Sequence, residues 1–186
     1  DPSIQKRPMG RVMKPLREMG ASIEGKNDNF CPLTLFPSEL HGIEYRLPVA
    51  SAQLKSAILL AGLYAEGQTT VIEPAPSRDH TERMFRALGV EIETSGSTIT
   101  LDPPEDLHAV DIAVPGDISS AAFFLVAGAI VPGSELTIKN VGVNPTRTGV
   151  LDVLRDMGAD ITESNFRDEA EPMCDLTVKY SKLHGV

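Results

Sequence analysis

Two short motifs in this chain combine serine with residues that bind anions. Ser51-Ala52-Gln53 opens a long apolar stretch with the character of a helix, and Ser77-Arg78 precedes a second helical stretch. The first turn of a helix has backbone N–H groups without acceptors and carries the positive end of the helix dipole, so serine and arginine placed there suit phosphate or carboxylate groups. The motifs together predict a small anionic ligand.

Each motif also has a purely structural interpretation. Ser51 is a good helix N-cap, a role compatible with ligand binding. Asp79 and Glu82 have the spacing of a capping box, which would make part of the second motif a helix start. A third helix start, at Asp117, does not suit an anion, because a carboxylate there would occupy the N–H groups and repel phosphate. Arg147 follows an Asn-Pro helix start, and we expect it to be structural.

The elements that position these motifs follow a repeat. Leu16-Arg-Glu-Met-Gly20-Ala-Ser-Ile23 recurs twice in modified form, with glycines at 20, 89 and 158, which are 69 residues apart both times. Glycine commonly ends a helix in the left-handed conformation, and the isoleucine three residues later is predicted to lie in a strand. A second helix recurs between the glycines and is followed by a β-rich stretch. The period indicates an α/β fold made of βαβαββ units.

The two types of helix differ in their apolar pattern. The stretches from Leu54 to Leu63 and from Ala121 to Val131 are apolar on nearly every side, which predicts burial between layers. The first helix has a one-sided apolar stripe with Arg11 and Arg17 free to face solvent, and Pro15 is predicted to kink or shorten it.

Composition restricts the class of protein. The net charge of −9 argues against a nucleic-acid partner. Residues 102–186 contribute −8 of it, whereas residues 1–101 contribute −1 and the first 17 residues are basic, so a local anion site is possible there. The longest apolar stretch is too short to cross a membrane. Cys31 and Cys174 lack the spacing of a metal site and predict a reduced, cytoplasmic protein.

With these residues in view, the chain resembles the 5-enolpyruvylshikimate-3-phosphate synthase family, also called 3-phosphoshikimate 1-carboxyvinyltransferases. The resemblance runs from end to end and lies in five motifs in the family's order: Lys6-Arg-Pro-Met-Gly-Arg, Val49-Ala-Ser-Ala-Gln-Leu-Lys-Ser-Ala, Ser77-Arg-Asp-His-Thr-Glu, Gly116-Asp-Ile-Ser-Ser-Ala-Ala and Asn144-Pro-Thr-Arg-Thr-Gly. The Ser-Ala-Gln form is similar to the branch that includes glyphosate-tolerant bacterial enzymes.

The resemblance implies a fold and a domain division. The family has an inside-out α/β barrel fold with six βαβαββ units in two domains, of which three units are expected here. Residues 1–113 would hold two units of the lower, shikimate-3-phosphate-binding domain, and residues 114–186 one unit of the upper domain. The chain would then be a fragment, lacking the family's general acid and base carboxylates, so we expect it to bind ligand without turnover.

The resemblance also implies a reaction and a set of ligand-binding residues. Family members transfer the enolpyruvyl group of phosphoenolpyruvate to the 5-hydroxyl of shikimate-3-phosphate, in chorismate and aromatic amino acid biosynthesis, without a metal or organic cofactor. Arg7 matches the residue that holds phosphoenolpyruvate. Ser51, Ala52 and Gln53 match the binding site for shikimate-3-phosphate, and Ser77 and Arg78 match a second phosphate position. The full-length protein is expected to be a cytoplasmic monomer.

Two alternatives remain open at this point. The related UDP-N-acetylglucosamine enolpyruvyl transferases share the fold, but they usually have a reactive cysteine where this chain has Pro2, and they lack Ser-Ala-Gln. The other alternative is a non-catalytic binding module that uses the repeat only for assembly.

Overall fold

The computed structural model describes all of residues 1–186 and divides them into two compact units, Asp1–Ala109 and Val110–Val186. Five α-helices and eleven strands alternate along the chain, after a short 3-10 helix at Ile4–Lys6. The first unit contains α1 Gly10–Glu18, β1 Ser22–Lys26, β2 Phe30–Phe36, β3 Leu40–His41, β4 Glu44–Arg46, α2 Ala52–Gly62, β5 Ala65–Glu66, β6 Thr69–Ile72, α3 His80–Ala87, β7 Ile92–Ser95 and β8 Thr98–Leu101. The second unit contains α4 Ile118–Ile130, β9 Glu135–Gly142, α5 Gly149–Asp156, β10 Asp160–Asp168 and β11 Pro172–Lys179.

The predicted βαβαββ repeat is present in both units. In the first unit β4, α2, β6, α3, β7 and β8 form one complete copy, whose sheet has the order β4-β6-β8-β7. In the second unit the sheet order is β10-β11-β9, and the first strand of the repeat is reduced to a parallel bridge between Gly116 and Val141. The elements α1, β1 and β2 correspond to the last three elements of a further copy, so the mixed α/β fold class is confirmed.

The repeat glycines have the predicted conformation. Gly20, Gly89 and Gly158 have φ angles of 100°, 82° and 94°, and each directly follows the C-cap residue of a one-sided helix. Only glycine adopts this left-handed conformation without steric cost. The isoleucines three residues later lie in β1, β7 and β10, as the sequence indicated.

Three of the four histidines are part of the same repeat. In each copy the backbone N–H of a histidine donates to the backbone carbonyl of the residue before the repeat glycine. This bond satisfies a carbonyl at the helix end that has no partner within the helix. The three pairs are His41 with Met19 at 2.8 Å, His108 with Leu88 at 3.1 Å and His184 with Met157 at 2.9 Å. All three histidines are exposed.

The two helices of the second type differ in how far they are buried. Leu54, Ile58 and Leu59 of α2 lie in the core of the first unit, and Leu125 of α4 lies in the core of the second. The opposite side of α4 is open, and Phe123 is 80% exposed. Only Gln53 and Leu60 of α2 are exposed, and α2 packs against both α1 and β6, so the prediction of burial on nearly every side is confirmed for α2. The prediction is wrong for α4, because one side of that helix is exposed.

The proline in α1 does not end the helix. Pro15 lies inside α1, which continues to Glu18, and the Met19 N–H donates to the Pro15 carbonyl at 3.0 Å. Met13 and Met19 form the buried part of the apolar stripe. Pro15 itself is buried, so its ring adds to the packing of that side of the helix. With nine residues α1 is no shorter than α3 or α5, so the predicted shortening is wrong.

Candidate functional site

The start of α2 has the geometry of an anion site. Ser51 is the N-cap, and its Oγ accepts a hydrogen bond from the Leu54 N–H at 3.3 Å. Because the Ser51 hydroxyl acts as acceptor in this bond, its own proton remains available for a ligand. The N–H groups of Ala52 and Gln53 have no acceptor within the helix. No acidic residue lies in the first turn, so the positive end of the helix dipole is not neutralised locally.

Gln53 is held by a residue that the sequence placed in solvent. Arg11 of α1 donates from Nη2 to Gln53 Oε1 at 3.1 Å. This bond fixes which end of the Gln53 amide faces Arg11 and leaves the amide nitrogen to donate elsewhere. The helices α1 and α2 pack together, so Arg11 brings a positive charge to the start of α2.

The segment from Glu73 to Glu82 carries the second motif. Ser77 is half-buried and donates its hydroxyl proton to Glu73 Oε1, whereas Arg78 is exposed. A serine has one hydroxyl proton, so Ser77 must release Glu73 before it can donate to a ligand. Arg78 is thus the exposed cationic side chain of this motif.

The predicted capping box at the start of α3 is wrong. Asp79 is the N-cap residue, but its side chain makes no capping hydrogen bond and instead accepts from Arg83 Nε at 2.9 Å. Glu82 does not reach back to the helix start, because it is buried and its Oε1 lies 2.6 Å from Lys55 Nζ. Long-range pairing with a buried lysine has replaced the local cap.

A buried ionic cluster connects the two motifs. Lys55 Nζ lies 3.0 Å from Glu73 Oε2 and 2.6 Å from Glu82 Oε1. Beside it, Ser56 Oγ and Thr81 Oγ1 are 2.6 Å apart. The structure therefore brings the starts of α2 and α3 side by side. Sequence reasoning missed Lys55, although a single charge inside an apolar helix was a visible signal.

Arg7 lies before α1 rather than in it. It ends the 3-10 helix, its N–H donates to the Ile4 carbonyl at 3.1 Å, and its side chain is exposed. Pro8 lies outside the helix, because α1 begins at Gly10, whose N–H is capped by Asn29 Oδ1 at 2.8 Å. Arg7 is thus a cationic side chain close in sequence to Arg11.

A cleft beside the site is lined mainly by charged residues. Its volume is about 470 Å³, and it contains Arg11, Lys14 and Arg46 together with Glu18 and Glu44. None of the six predicted binding residues lines this cleft. The start of α2 therefore lies beside the cleft and not inside it. A second cleft of about 410 Å³ contains Asp102 and Glu105, and its acidic lining does not suit an anion.

The start of α4 is closed to anions, as expected. Asp117 accepts from the N–H groups of Ser119 at 3.2 Å and Ser120 at 3.1 Å, and these bonds hold the pKa of its carboxyl below its usual value. Arg147 donates to Ser119 Oγ at 2.6 Å and to Asp117 Oδ1 at 3.3 Å. Arg147 therefore has a structural role in the second unit. Arg147 lies in a turn, in which Asn144 Oδ1 accepts from the Thr146 N–H at 2.9 Å. The predicted helix start at Asn144-Pro145 is wrong, because α5 begins at Gly149.

The remaining candidates for chemistry are two free cysteines. Cys31 is half-buried and Cys174 is buried. Burial, together with the nearby charges of Glu163 and Asp175, raises the pKa of the Cys174 thiol to about 11. No group of three or more His, Cys, Asp or Glu side chains is placed to hold a metal ion. None of the helices has the length and apolar character needed to cross a bilayer.

Comparison with known proteins places this geometry in a family. The sequence profile of EPSP synthase (3-phosphoshikimate 1-carboxyvinyltransferase) matches residues 1–185. Two curated relatives named 3-phosphoshikimate 1-carboxyvinyltransferase, from Geobacillus kaustophilus and Geobacillus thermodenitrificans, are 60% and 58% identical over the whole chain. A solved structure of EPSP synthase from Acinetobacter baumannii superposes on the whole chain with a TM-score of 0.92 and 50% identity.

These matches cover only part of the relatives. The chain spans 44% of the length of both curated Geobacillus proteins and 43% of the Acinetobacter chain. Over that span the identity is well above the level at which fold and family membership coincide. The chain belongs to the EPSP synthase family.

Proposed function

We propose that this chain forms part of the substrate site of a 3-phosphoshikimate 1-carboxyvinyltransferase. The reaction transfers the enolpyruvyl group of phosphoenolpyruvate to the 5-hydroxyl of shikimate-3-phosphate and releases phosphate. Membership of the EPSP synthase family supports this assignment. The observation that carries it is the start of α2, where the Ser51 hydroxyl proton and the Ala52 and Gln53 N–H groups are all available to one phosphate.

The binding residues divide between the two substrates. Ser51, Ala52 and Gln53 bind the phosphate and ring of shikimate-3-phosphate, and Arg78 with Ser77 adds the second phosphate position. Arg7 binds phosphoenolpyruvate, whose carboxylate or phosphate suits the two parallel donors of a guanidinium. The resemblance implies a reaction without a metal or organic cofactor, so its main demand is the placement of positive charge around two anions.

The two compact units have separate roles in this proposal. Residues 1–113, which include the compact unit Asp1–Ala109 and all six binding residues, form part of the lower, shikimate-3-phosphate-binding domain, and residues 114–186 form one repeat of the upper domain. The chain alone binds ligand and does not turn over. The full-length protein acts as a cytoplasmic monomer, with small-molecule substrates and no nucleic-acid or membrane partner.

Calorimetric titration with shikimate-3-phosphate tests the proposal. We expect saturable binding that the Ser51→Ala/Gln53→Ala double variant loses. A Gln68→Ala/Ser95→Ala variant is the matched control, because it removes the same two side-chain types from exposed positions in the same unit. UDP-N-acetylglucosamine serves as the control ligand. Binding of UDP-N-acetylglucosamine in preference to shikimate-3-phosphate, or no binding by the folded chain, would contradict the proposal.

A further inference from the structure

Lys55 lies in an environment that excludes water. It belongs to the first turns of α2, two residues after Gln53, and only 1% of it is exposed. Its ammonium group contacts the carboxylates of Glu73 and Glu82, which are themselves buried, at 3.0 and 2.6 Å. Breaking either contact would leave a buried charge without a partner, which is strongly unfavourable, so these contacts persist in the folded chain.

The two carboxylates lie at opposite ends of one segment. Glu73 directly follows β6, and Glu82 lies in the first turn of α3, so the segment between them includes Ser77 and Arg78. Lys55 thereby ties both ends of the segment to α2. Glu73 also accepts the Ser77 hydroxyl proton, which extends the connection to the middle of the segment.

The cluster of Lys55, Glu73 and Glu82 is not the arrangement that would give the folded chain the greatest stability. Two carboxylates share one ammonium group, and Glu82 Oε2 is buried without a hydrogen-bond partner. An unsatisfied buried acceptor disfavours folding, and apolar residues of similar volume often replace a buried ion pair without loss of stability. Because the cluster does not maximise stability, a role in positioning neighbouring side chains explains why charged residues lie there.

We infer that Lys55 is a positioning residue of the phosphate site, and this inference rests on the proposed function. By holding Glu73 and Glu82, Lys55 fixes the segment that carries Arg78 against the start of α2. The two phosphate-binding positions of the proposed function, at the start of α2 and at Ser77 and Arg78, are then held side by side before the ligand binds. Such preorganisation raises affinity because the segment does not have to be ordered on binding.

A charge-free version of the cluster provides the test. The triple variant Lys55→Met/Glu73→Gln/Glu82→Gln keeps side-chain volumes similar and leaves no buried charge unpaired. We expect its thermal midpoint to stay within a few degrees of the parent chain and its affinity for shikimate-3-phosphate to fall about tenfold. We also expect the amides at positions 73 and 83, which donate to the Ser97 and Asp79 carbonyls at the two ends of the segment, to exchange with solvent at least about tenfold faster. Lys179→Met/Glu135→Gln, which removes the exposed pair at 3.2 Å, is the control expected to change neither affinity nor exchange.

Amide exchange separates the two hypotheses. If the parent chain does not bind shikimate-3-phosphate, the proposed function fails, but the exchange rates of the amides at positions 73 and 83 still report on the Lys55 contacts. A folded triple variant with parental affinity or parental exchange of these amides would overturn the inference. If the triple variant does not fold, Glu73→Gln replaces it, because it leaves the Lys55–Glu82 pair balanced and is expected to accelerate amide exchange at position 73 and not at position 83.

Discussion

Arg11 Nη2 donates to Gln53 Oε1 at 3.1 Å, so a guanidinium of α1 orients the amide of a proposed substrate-binding residue. We expect Arg11→Met to weaken binding of shikimate-3-phosphate about three- to tenfold, which corresponds to the loss of one charge-assisted hydrogen bond. Calorimetry measures the effect. Arg86→Met removes the same charge from an exposed arginine bonded to Thr94 and is expected to leave affinity unchanged. Equal losses in both variants would show that net charge, and not the orientation of Gln53, is responsible.

The two serines of the site are predicted to differ in their effect on binding. The Ser51 hydroxyl accepts from the Leu54 N–H and keeps its proton for a ligand, whereas Ser77 gives its proton to Glu73. We expect Ser51→Ala to weaken binding of shikimate-3-phosphate about tenfold or more and to lower the free energy of unfolding by about 1 kcal/mol through loss of the cap. Ser77→Ala should weaken binding less. A larger loss of affinity for Ser77→Ala, measured by calorimetry on both variants, would reverse this assignment of donors.

Gly89 is predicted to be less tolerant of substitution than Gly67. Both have left-handed backbone, with φ of 82° and 84°, but a Cβ at Gly89 would lie 2.7 Å from His108 Cδ2, whereas one at Gly67 meets no neighbour. We expect Gly67→Ala to cost about 1–2 kcal/mol of unfolding free energy and Gly89→Ala to cost more. Denaturant titration gives both values. In a His108→Ala background, Gly89→Ala should cost no more unfolding free energy than Gly67→Ala. If Gly89→Ala still costs more there, contact with His108 is not the cause of the difference.

The two thiols should react at very different rates. Cys31 is half-buried, whereas burial raises the pKa of Cys174 to about 11, so at pH 8 we expect a disulfide reagent to modify Cys31 and to leave Cys174 intact until the chain is denatured. Absorbance of the released thiol counts the reactive cysteines. Rapid modification of both in the folded chain would contradict the burial of Cys174.

The same thiol contributes to alkaline sensitivity. The folded pKa lies above the ordinary value of 9.0, so the unfolded chain loses the proton first and the free energy of unfolding decreases as pH rises from about 9 to 11. Comparing unfolding of the parent chain with Cys174→Ala across this range isolates the contribution. We expect the variant to lose less stability between these two pH values, and identical slopes would exclude the thiol.

The parts of the fold that local sequence controls were predictable. Gly20, Gly89 and Gly158 end helices because a positive φ is a property of one residue and its immediate neighbours. Ser51 was predictable as a cap for the same reason. The matching histidines His41 and His108 escaped prediction, because the contact that makes them equivalent joins a backbone N–H to a helix end about twenty residues earlier in the chain.

The candidate site depended more on long-range pairing. Lys55 reaches Glu73 and Glu82, and no local pattern in a single sequence shows which carboxylate a lysine will meet. The same pairing explains why the capping box failed, since Glu82 was drawn to Lys55 and could not serve the helix start. Arg11 was assigned to solvent because its stripe position faces away from the core, and that side of α1 contacts Gln53.

The exposed apolar side of α4 determines the solubility of this chain and its tendency to self-associate. Phe123 and Phe124 are 80% and 60% exposed beside Ile130, so adjacent aromatic rings lie in contact with water. Such a patch binds hydrophobic dyes and favours self-association as protein concentration rises. Phe123→Ser/Phe124→Ser should lower dye fluorescence and raise the concentration at which the chain precipitates. The limit on concentrating this chain is therefore set by one side of one helix and not by its net charge.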